Sequence, residues 1–380
     1  MRILADQNIP FATDAFSSMG EVTTFVGREL ANKDLHDVDM LLVRSVTRVD
    51  AKLLANTPVR FVGSATIGTD HIDLDYLHDN DIHFANAPGS NATSAAEYTL
   101  AAFLYYAVQS NIRIDDLEIG IVGYGNVGSR VARFFTALGL RCHIYDPPRQ
   151  REYQDMEYAD WAAICQCDVV TAHVPLTDSG DYPTLRMFDE NFFRQVKPDA
   201  LFINTSRGQA VDETALLKVL GEHKACHLVL DVWCNEPAIN RQLLQQTLIG
   251  TPHIAGYAYD GKLRGTEMIY QAACGVYELE PQWSAADVLG TKKTRLNYDN
   301  EKSNTQALYE LICGAYSITR DNDALKKSLT MTDNEAASHF DELRKHYPKR
   351  REFPHYAISA DRLDTAQCQL LEELGFKVID

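Results

Sequence analysis

The sequence predicts an α/β protein that contains two doubly wound parallel-sheet domains and a small α+β domain at its C-terminal end. Two series of short apolar segments, one within residues 1–92 and one from Ile119 onward, alternate with amphipathic stretches of helical length. This alternation is typical of parallel sheets whose strands are joined by helices. After about residue 280 the composition changes, because a polar connection precedes the last helices and strands. We therefore expect three structural regions along the chain.

The bulk composition restricts the class of protein. A chain of 380 residues is long enough for two or three domains with cores of their own. Its formal net charge of −17 argues against general binding to nucleic acids or anionic membranes, because phosphate-rich surfaces attract basic proteins. No apolar run approaches membrane-spanning length, and the first ten residues, MRILADQNIP, do not form a secretory signal. The eight cysteines show no metal-binding spacing, so we expect a cytoplasmic protein with reduced thiols.

The first series of apolar segments predicts four strands followed by a long helix. The helix should cover Ser94–Gln109, which is apolar almost all round, so we expect it to be buried. Amphipathic stretches between the segments, such as HIDLDYLHDN, indicate connecting helices. The four predicted strands span residues 2–6, 40–45, 60–65 and 82–88.

The second series predicts six further strands at the spacing of βα units. Right-handed crossovers would arrange them as a doubly wound sheet, which binds ligands at the carboxyl ends of its strands. Polar residues stand at or just past several of these strand ends, so we expect a site at that edge; they are Asp146, His173, Asn204, Asp231 and His253. The predicted strands span residues 119–123, 140–146, 169–175, 200–206, 227–233 and 247–254.

The last hundred residues carry no chemical motif of their own. Residues 281–304 indicate a long connection, and two helices are predicted near Gln306–Ile318 and Glu335–Tyr347. The end of the chain, from residue 355 to 380, predicts a strand, a helix and a second strand. We therefore expect a small third domain.

Three glycines form a G-x-G-x-x-G motif directly after a predicted strand and at the start of a predicted helix. Gly123 permits a tight turn, Gly125 lets the backbone approach a pyrophosphate, and Gly128 allows close packing of the helix on the strand. The helix N-terminus offers free N–H groups and a partial positive charge to phosphates. In this context the motif predicts a Rossmann-like dinucleotide site.

The choice of dinucleotide is indicated by Asp146, which ends the next predicted strand eighteen positions after Gly128. A carboxylate there can bond the ribose hydroxyls and repel a 2′-phosphate, so NAD is favoured over NADP. Arg149 and Arg151 follow closely and weaken that preference, because arginine accommodates a 2′-phosphate.

Three further polar residues fit the chemistry of hydride transfer from a secondary alcohol. Arg207 lies in NTSRG, Glu236 in LDVWCNEP and His253 in TPHIAGY. The hydroxyl proton needs a base, and histidine, with an ordinary pKa of roughly 6.5, is suited to that task. A carboxylate would orient the ring, and an arginine fork would hold a substrate carboxylate and polarise the developing carbonyl.

These segments together resemble the D-isomer-specific 2-hydroxyacid dehydrogenases over the chain up to about residue 275. The resemblance rests on the glycine motif with Asp146 and on NTSRGQAVDE, LDVWCNEP and TPHIAGY. It implies that Arg207 binds the substrate carboxylate and 2-oxygen, that His253 is the acid–base, and that Glu236 pairs with it. It also implies cofactor contacts at Gly123, Gly125, Asn126, Val127, Gly128, Asp146, Thr205, Ser206, Arg207, Asp231 and Gly256, and substrate contacts at Ser45, Thr66 and Tyr257.

The same resemblance implies how the domains are arranged. Residues 1–92 and 256–280 would form a substrate domain, and residues 93–255 would form an NAD-binding Rossmann domain inserted between them. The active site would lie in the cleft between these two domains, which closes by hinge motion. Residues 281–380 would form a C-terminal dimerisation domain, so we expect a homodimer.

Three segments resemble family members that act on a small phosphorylated 2-hydroxy acid of four carbons. They are VRSVTRVD, GSATIGTDHID and HIAGYAYDGKLRGT. Such a substrate carries two anionic groups, and Arg207 can serve only one. We therefore infer that one or more of four further cations, Arg44, Arg48, Lys262 and Arg264, hold the phosphate.

Two alternatives remain open on the sequence alone. Within the family, the substrate could be 3-phosphoglycerate, which is one carbon shorter and has the same two charged ends. Outside catalysis, relatives of this fold act as NAD-sensing corepressors, a role that does not require Arg207, Glu236 and His253.

Overall fold

The computed structural model describes residues 1–222 and 226–379. The chain divides into two compact units. The first unit joins Met1–Asn91 with Ala258–Lys292, and the second joins Ala92–Tyr257 with Lys293–Asp380. Each unit is built on a parallel sheet, and the second contains an additional small sheet from the C-terminal segment. The predicted α/β class with two Rossmann-like sheets is confirmed.

Fourteen strands are found in the described residues. In chain order they are β1 Arg2–Asp6, β2 Glu21–Phe25, β3 Met40–Val43, β4 Phe61–Ser64, β5 His83–Ala85, β6 Glu118–Val122, β7 Arg141–Tyr145, β8 Val169–Ala172, β9 Leu201–Asn204, β10 His227–Leu230, β11 Ile249–Gly250, β12 Thr294–Leu296, β13 Tyr356–Ser359 and β14 Lys377–Ile379.

The same residues contain sixteen α-helices and four short 3-10 helices. The α-helices are α1 Ala12–Phe16, α2 Ala51–Leu54, α3 Leu74–Asp79, α4 Ala92–Gln109, α5 Asn126–Ala137, α6 Pro147–Glu152, α7 Trp161–Cys165, α8 Glu190–Gln195, α9 Glu213–Gly221, α10 Arg241–Gln246, α11 Tyr259–Val276, α12 Ala285–Leu289, α13 Asn304–Ala315, α14 Ile318–Lys326, α15 Asp333–Lys345 and α16 Thr365–Glu373. The 3-10 helices span Asn32–Leu35, Gly208–Ala210, Lys327–Thr330 and Phe353–His355.

The first unit is centred on a five-stranded parallel sheet in the order β2-β1-β3-β4-β5. All four predicted strands belong to it. The fifth strand, β2, was not predicted, because its sequence, EVTTF, is largely polar and its side chains are mostly exposed at the sheet edge. Helix α11 returns to this sheet, and its Ile269 and Tyr270 share an apolar core with Ile3 and Phe61.

The second unit is centred on a six-stranded parallel sheet in the order β11-β10-β9-β8-β6-β7. The chain runs outward from β6 to β7 and then crosses back to β8, so the strand order reverses beside β6. In doubly wound sheets this reversal opens a crevice at the carboxyl ends of the strands. All six predicted strands exist, but β11 is only two residues long, because Pro252 cannot donate a ladder hydrogen bond.

The long helix α4 is buried, as predicted, and 14 of its 18 residues have buried side chains. It packs against α5 on one side and against α13 of the C-terminal segment on the other. Its Phe103 shares one apolar core with Phe134, Leu311 and Phe353. The C-terminal segment therefore contributes directly to the core of the second unit.

The small sheet of the C-terminal segment has the order β12-β13-β14, with all strands parallel. The predicted strand–helix–strand end of the chain is found, although Asp380 lies outside the described residues. Strand β12 was not predicted, because it lies in a stretch rich in charged and polar residues. The predicted helix over Gln306–Ile318 ends at Ala315, and a second helix begins at Ile318.

None of the helices within the described ranges combines the length and the apolar character that crossing a lipid bilayer requires. The cysteines are free thiols. In residues 1–222 and 226–379, the His, Cys, Asp and Glu side chains do not form a metal-binding group of three or more.

Candidate active site

The glycine motif forms the turn between β6 and α5, and two of its glycines are required by the protein's own packing. Gly123 has a φ of +91°, which L side chains rarely adopt. A Cβ at Gly128 would lie 1.9 Å from the Gly123 carbonyl oxygen. Any larger residue at Gly128 would therefore push the helix away from the strand.

The third glycine of the motif leaves space that a ligand can use. A Cβ at Gly125 would meet no atom within 4 Å, so this position is not needed for internal packing. Gly125 caps the twelve-residue helix α5, whose first N–H groups, from Asn126 onward, have no intrahelical acceptor. An open approach to free N–H groups at a helix N-terminus fits the pyrophosphate of a dinucleotide.

Asp146 ties the glycine turn to the end of β7. One carboxylate oxygen accepts a hydrogen bond from the Tyr124 N–H at 2.7 Å, and the other accepts from the Arg149 N–H at 3.0 Å. Arg151, the second arginine that weakened the preference for NAD, forms an ion pair with Asp181 at 2.7 Å. A fixed carboxylate at this strand end fits the ribose hydroxyls of NAD.

The turn that presents Arg207 is built by Asn204 at the end of β9. Asn204 is fully buried, and its side-chain oxygen accepts from the Ser206 N–H at 2.9 Å and the Ser206 hydroxyl at 2.7 Å. Its side-chain nitrogen donates to the Arg207 carbonyl at 3.0 Å. The Thr205 hydroxyl contacts His173 Nδ1 at 3.0 Å. These bonds fix the backbone on both sides of the arginine.

The glycine that follows Arg207 is explained by a close approach of two backbone segments. A Cβ at Gly208 would lie 1.9 Å from the Trp233 carbonyl carbon. The turn after β9 therefore packs directly against the turn after β10. Glu213 strengthens this contact, because its carboxylate accepts from the Cys234 N–H at 2.8 Å.

Glu236 and His253 form a direct pair, as expected from the sequence. Glu236 Oε2 lies 2.7 Å from His253 Nδ1, and Glu236 Oε1 accepts from the Trp233 N–H at 3.0 Å. His253 has a φ of +56°, an uncommon value for a residue other than glycine. About a third of its side chain, 34%, is exposed.

Asp231 holds the backbone around His253 in place. Its carboxylate is buried and accepts from the Thr251 hydroxyl at 2.7 Å, the Ile254 N–H at 2.7 Å and the Ala255 N–H at 2.9 Å. Its carbonyl oxygen accepts from the His253 N–H at 2.7 Å. The unusual backbone conformation at His253 is thus fixed from both ends.

Burial and neighbouring charges shift the pKa values of three groups in this region, Glu236, Asp231 and His173. Burial alone would raise the pKa of Glu236, but the His253 ring, the Arg344 guanidinium and the Trp233 N–H together lower it. Burial raises the pKa of Asp231 despite its hydrogen bonds. Burial lowers the pKa of His173 to about 3, so this ring stays neutral. The Glu236 carboxylate is therefore ionised and ready to stabilise a protonated His253.

The substrate residues expected in the first unit lie at one edge of its sheet. Arg44 and Ser45 follow β3, and Thr66 follows the neighbouring strand β4. The Thr66 hydroxyl contacts the Ser64 hydroxyl at 2.8 Å. Arg44 Nε lies 3.5 Å from the buried carboxylate of Asp6, at the end of β1, which was not among the predicted residues. These polar groups therefore lie together at the carboxyl ends of β1, β3 and β4.

Two other cations proposed for the phosphate, Arg48 and Arg264, have partners within the first unit. Arg48 is largely exposed and pairs with Asp50 at 3.0 Å. Arg264, on α11, donates from Nε to the Ser90 carbonyl at 3.0 Å. Lys262 lies two residues earlier on the same helix.

Tyr257, the last of the expected substrate residues, is contacted by residues of the C-terminal segment. Its hydroxyl accepts from Arg344 Nε at 3.1 Å, and its ring packs edge-on against Tyr347 with centroids 5.8 Å apart. Arg350 donates to the Ala255 carbonyl at 3.1 Å, one residue before Gly256. These contacts were not predicted from the sequence, because a single arginine on an amphipathic helix is ordinarily a solvent-exposed residue.

Comparison with protein families identifies the two matched regions of the chain. Residues 100–255 match the D-isomer specific 2-hydroxyacid dehydrogenase NAD binding domain. Residues 291–375 match a domain of unknown function, DUF3410. The cofactor of this protein is therefore NAD, as predicted.

Solved structures with the same fold include other 2-hydroxyacid dehydrogenases. D-lactate dehydrogenase from Aquifex aeolicus, complexed with NAD and lactic acid, is 22% identical and aligns with a TM-score of 0.62 over 73% of this chain and 96% of its own. NAD-bound 3-phosphoglycerate dehydrogenase from Entamoeba histolytica is 20% identical, with a TM-score of 0.63 over 73% and 95%. At these identities the comparison shows the fold.

Curated relatives align with the whole chain. Erythronate-4-phosphate dehydrogenase from Hahella chejuensis is 39% identical over 100% of this chain and 99% of its own. The enzyme of the same name from Marinobacter nauticus is 41% identical over 100% of both chains, and that from a strain of Escherichia coli is 40% identical over 100% and 99%. Because the similarity extends over the full length, this chain is an NAD-dependent oxidoreductase that belongs to the erythronate-4-phosphate dehydrogenase family of 2-hydroxyacid dehydrogenases.

Proposed function

We propose that the protein oxidises 4-phospho-D-erythronate to the corresponding 2-oxo acid with NAD, in the biosynthesis of pyridoxal 5′-phosphate. The observation that supports this proposal most strongly is the 2.7 Å contact between Glu236 and His253. The turn after β10, which leads to Glu236, packs against the turn that carries Arg207. A base, its carboxylate partner and an arginine are the groups that oxidation of a 2-hydroxy acid requires.

His253 is proposed to take the proton of the substrate hydroxyl. Its Nδ1 faces the Glu236 carboxylate, so the neutral ring carries its hydrogen there and offers the Nε2 lone pair to the substrate. Glu236 then stabilises the imidazolium that forms. NAD, when bound, would accept the hydride from the substrate carbon. The Arg207 guanidinium is proposed to hold the substrate carboxylate and the 2-oxygen as the carbonyl develops.

The remaining site residues are proposed to bind and orient the two ligands. Asp146 would bond the ribose hydroxyls, and Asp231 would contact the nicotinamide amide. Ser45, Thr66, Arg44 and Tyr257 would contact the substrate. The remaining residues proposed to contact the cofactor are Gly123, Gly125, Asn126, Val127, Gly128, Thr205, Ser206, Arg207 and Gly256.

The experiment that tests the function is a comparison of substrates. The purified protein is incubated with NAD, and with 2-oxoglutarate as a possible hydride acceptor, and offered either 4-phosphoerythronate or 3-phosphoglycerate. We expect a strong preference for the four-carbon acid. A preference for 3-phosphoglycerate would replace the proposed substrate while keeping the roles of Arg207, Glu236 and His253.

Glu236→Gln is expected to lower kcat about 10²-fold, because a carboxamide neither fixes the productive tautomer of His253 nor stabilises its cation. The acidic limb of the kcat/KM profile should also move to lower pH, since the imidazolium loses its anionic partner. Steady-state rates between pH 5 and 9 measure both effects. The matched control is Glu213→Gln, which neutralises another half-buried carboxylate that also accepts a backbone N–H nearby. Equal losses in both variants would contradict the assigned role.

For the domains, we propose that residues 1–92 and 256–280 bind substrate, that residues 93–255 bind NAD, and that residues 281–380 mediate dimerisation. The expected result of sedimentation equilibrium on the full chain is a species of twice the 42.7 kDa chain mass. A monomer at micromolar concentration would refute the dimer.

A further inference from the structure

The loop from His253 to Tyr257, here called the 253–257 loop, is held by side chains from the C-terminal segment. Arg350 donates to the Ala255 carbonyl, and Arg344 donates from Nε to the Tyr257 hydroxyl at 3.1 Å. Tyr347 packs edge-on against the Tyr257 ring. A segment that matches a domain of unknown function therefore contacts the loop that carries the proposed base.

The two arginines in this contact, Arg350 and Arg344, differ in their hydrogen-bond and ion-pair partners. The Arg350 side chain is 1% exposed, lies 3.6 Å from the Glu97 carboxylate, and donates to two carbonyls. The Arg344 side chain is half-buried, stacks near the Tyr257 and Phe340 rings, and donates only from Nε. Among the residues that the structure describes, its two terminal nitrogens have no hydrogen-bond or ion-pair partner. Arg350 therefore stabilises the fold, whereas the terminal N–H groups of Arg344 can donate to a ligand.

We propose that Arg344 binds the phosphate of the substrate, together with the Tyr257 hydroxyl, and thereby determines specificity for phosphorylated 2-hydroxy acids. The proposal rests on the proposed function, which makes the substrate a phosphorylated acid. Arg344 was not among the four cations inferred from the sequence, Arg44, Arg48, Lys262 and Arg264, and it belongs to the C-terminal segment.

The chemistry of the surroundings supports this assignment. The terminal nitrogens of a guanidinium form a planar fork that matches two phosphate oxygens, and Nε already anchors the fork to Tyr257. Burial opposes the charge of Arg344, but Tyr257, Glu236 and Asp231 raise its pKa, so the group stays cationic. Glu236 and Asp231 would repel an incoming phosphate, and a cation near both carboxylates offsets that repulsion.

The test compares two substrates on three proteins. Wild type, Arg344→Met and Lys345→Met are assayed with 4-phosphoerythronate and with erythronate, which lacks the phosphate, using enough enzyme to measure kcat/KM for the poorer substrate. Lys345 is the matched control, because it is the next residue on the same helix, is largely exposed and pairs with Glu342 at the long distance of 3.7 Å. The specificity ratio is kcat/KM for the phosphorylated acid divided by that for erythronate.

We expect Arg344→Met to lower the specificity ratio about 10- to 100-fold, mainly through KM, because charge-assisted hydrogen bonds to the phosphate are lost. Lys345→Met should leave the ratio unchanged, and Arg344→Lys should recover part of it. An unchanged ratio in Arg344→Met, including an equal loss on both substrates, would overturn the proposal. A wild type that does not turn over 4-phosphoerythronate would instead refute the proposed function.

A second variant separates direct binding from an effect through the tyrosine. Tyr257→Phe removes the hydroxyl but keeps the aromatic ring beside Arg344. We expect it to lower the specificity ratio less than Arg344→Met does. If Tyr257→Phe reproduces the whole loss, Arg344 only places the tyrosine, and the proposed contact with phosphate is wrong.

Discussion

His253→Asn is expected to lower kcat about 10³-fold, because the proposed base disappears while the rest of the site remains. Asparagine is the appropriate replacement, since the φ of +56° at this position is tolerated better by Asn than by Ala. The backbone bond from residue 253 to the Asp231 carbonyl is also retained. Single-turnover and steady-state rates with the phosphorylated acid measure the loss.

Binding of NAD and thermal unfolding provide the controls for this variant. The affinity for NAD should change little, because the glycine turn and Asp146 belong to other strand ends. The unfolding temperature should stay close to that of wild type. Full activity in His253→Asn would show that His253 is not the base. A protein that only senses NAD would show no turnover in wild type and unchanged NAD binding in the variant.

Arg350→Met is expected to lower the free energy of unfolding by about 3–5 kcal/mol, because it leaves a buried carboxylate without its counter-charge. The carboxylate is Glu97 on α4, whose side chain is fully buried and lies 3.6 Å from Arg350. The substitution also removes hydrogen bonds to the Ser94 and Ala255 carbonyls. Urea unfolding followed by circular dichroism measures the loss.

A double variant tests the physical cause of this instability. In Arg350→Met with Glu97→Gln, the buried charge is absent, so we expect about half of the lost stability to return. The exposed Lys345→Met again serves as the control and should change the free energy of unfolding by less than about 0.5 kcal/mol. If Arg350→Met were as stable as this control, the ion pair would not stabilise the second unit.

The fold was predictable where strands are buried on both faces. The strands β6, β8, β9 and β10 are mostly apolar and buried, so they separate clearly from the more polar segments between them. The strands β2 and β12 were missed, because each is a short edge strand with mostly exposed side chains, and such strands lack the apolar signal. Strand β11 was predicted too long, because Pro252 ends the ladder two residues after Gly250.

The candidate site was predictable where its residues follow strand ends in a known order. The pairing of Glu236 with His253 was expected from two local motifs, and the structure brings these side chains together. The contacts of Arg344, Tyr347 and Arg350 were not expected, since they join segments about 90 residues apart and depend on how the C-terminal segment packs. Arg350 stands in the charged stretch KRREF, yet it is buried.

The position of α4 has a consequence for the synthesis of the chain. Its apolar surface is covered by α5, which follows soon after, and by α13, which begins about 195 residues later. At a translation rate of about 5–20 residues per second, α13 emerges from the ribosome roughly 10–40 s after α4. During that interval the nascent second unit exposes one face of a nearly all-apolar helix. Chaperone binding to nascent chains should therefore peak after α4 emerges and decline once α13 has docked.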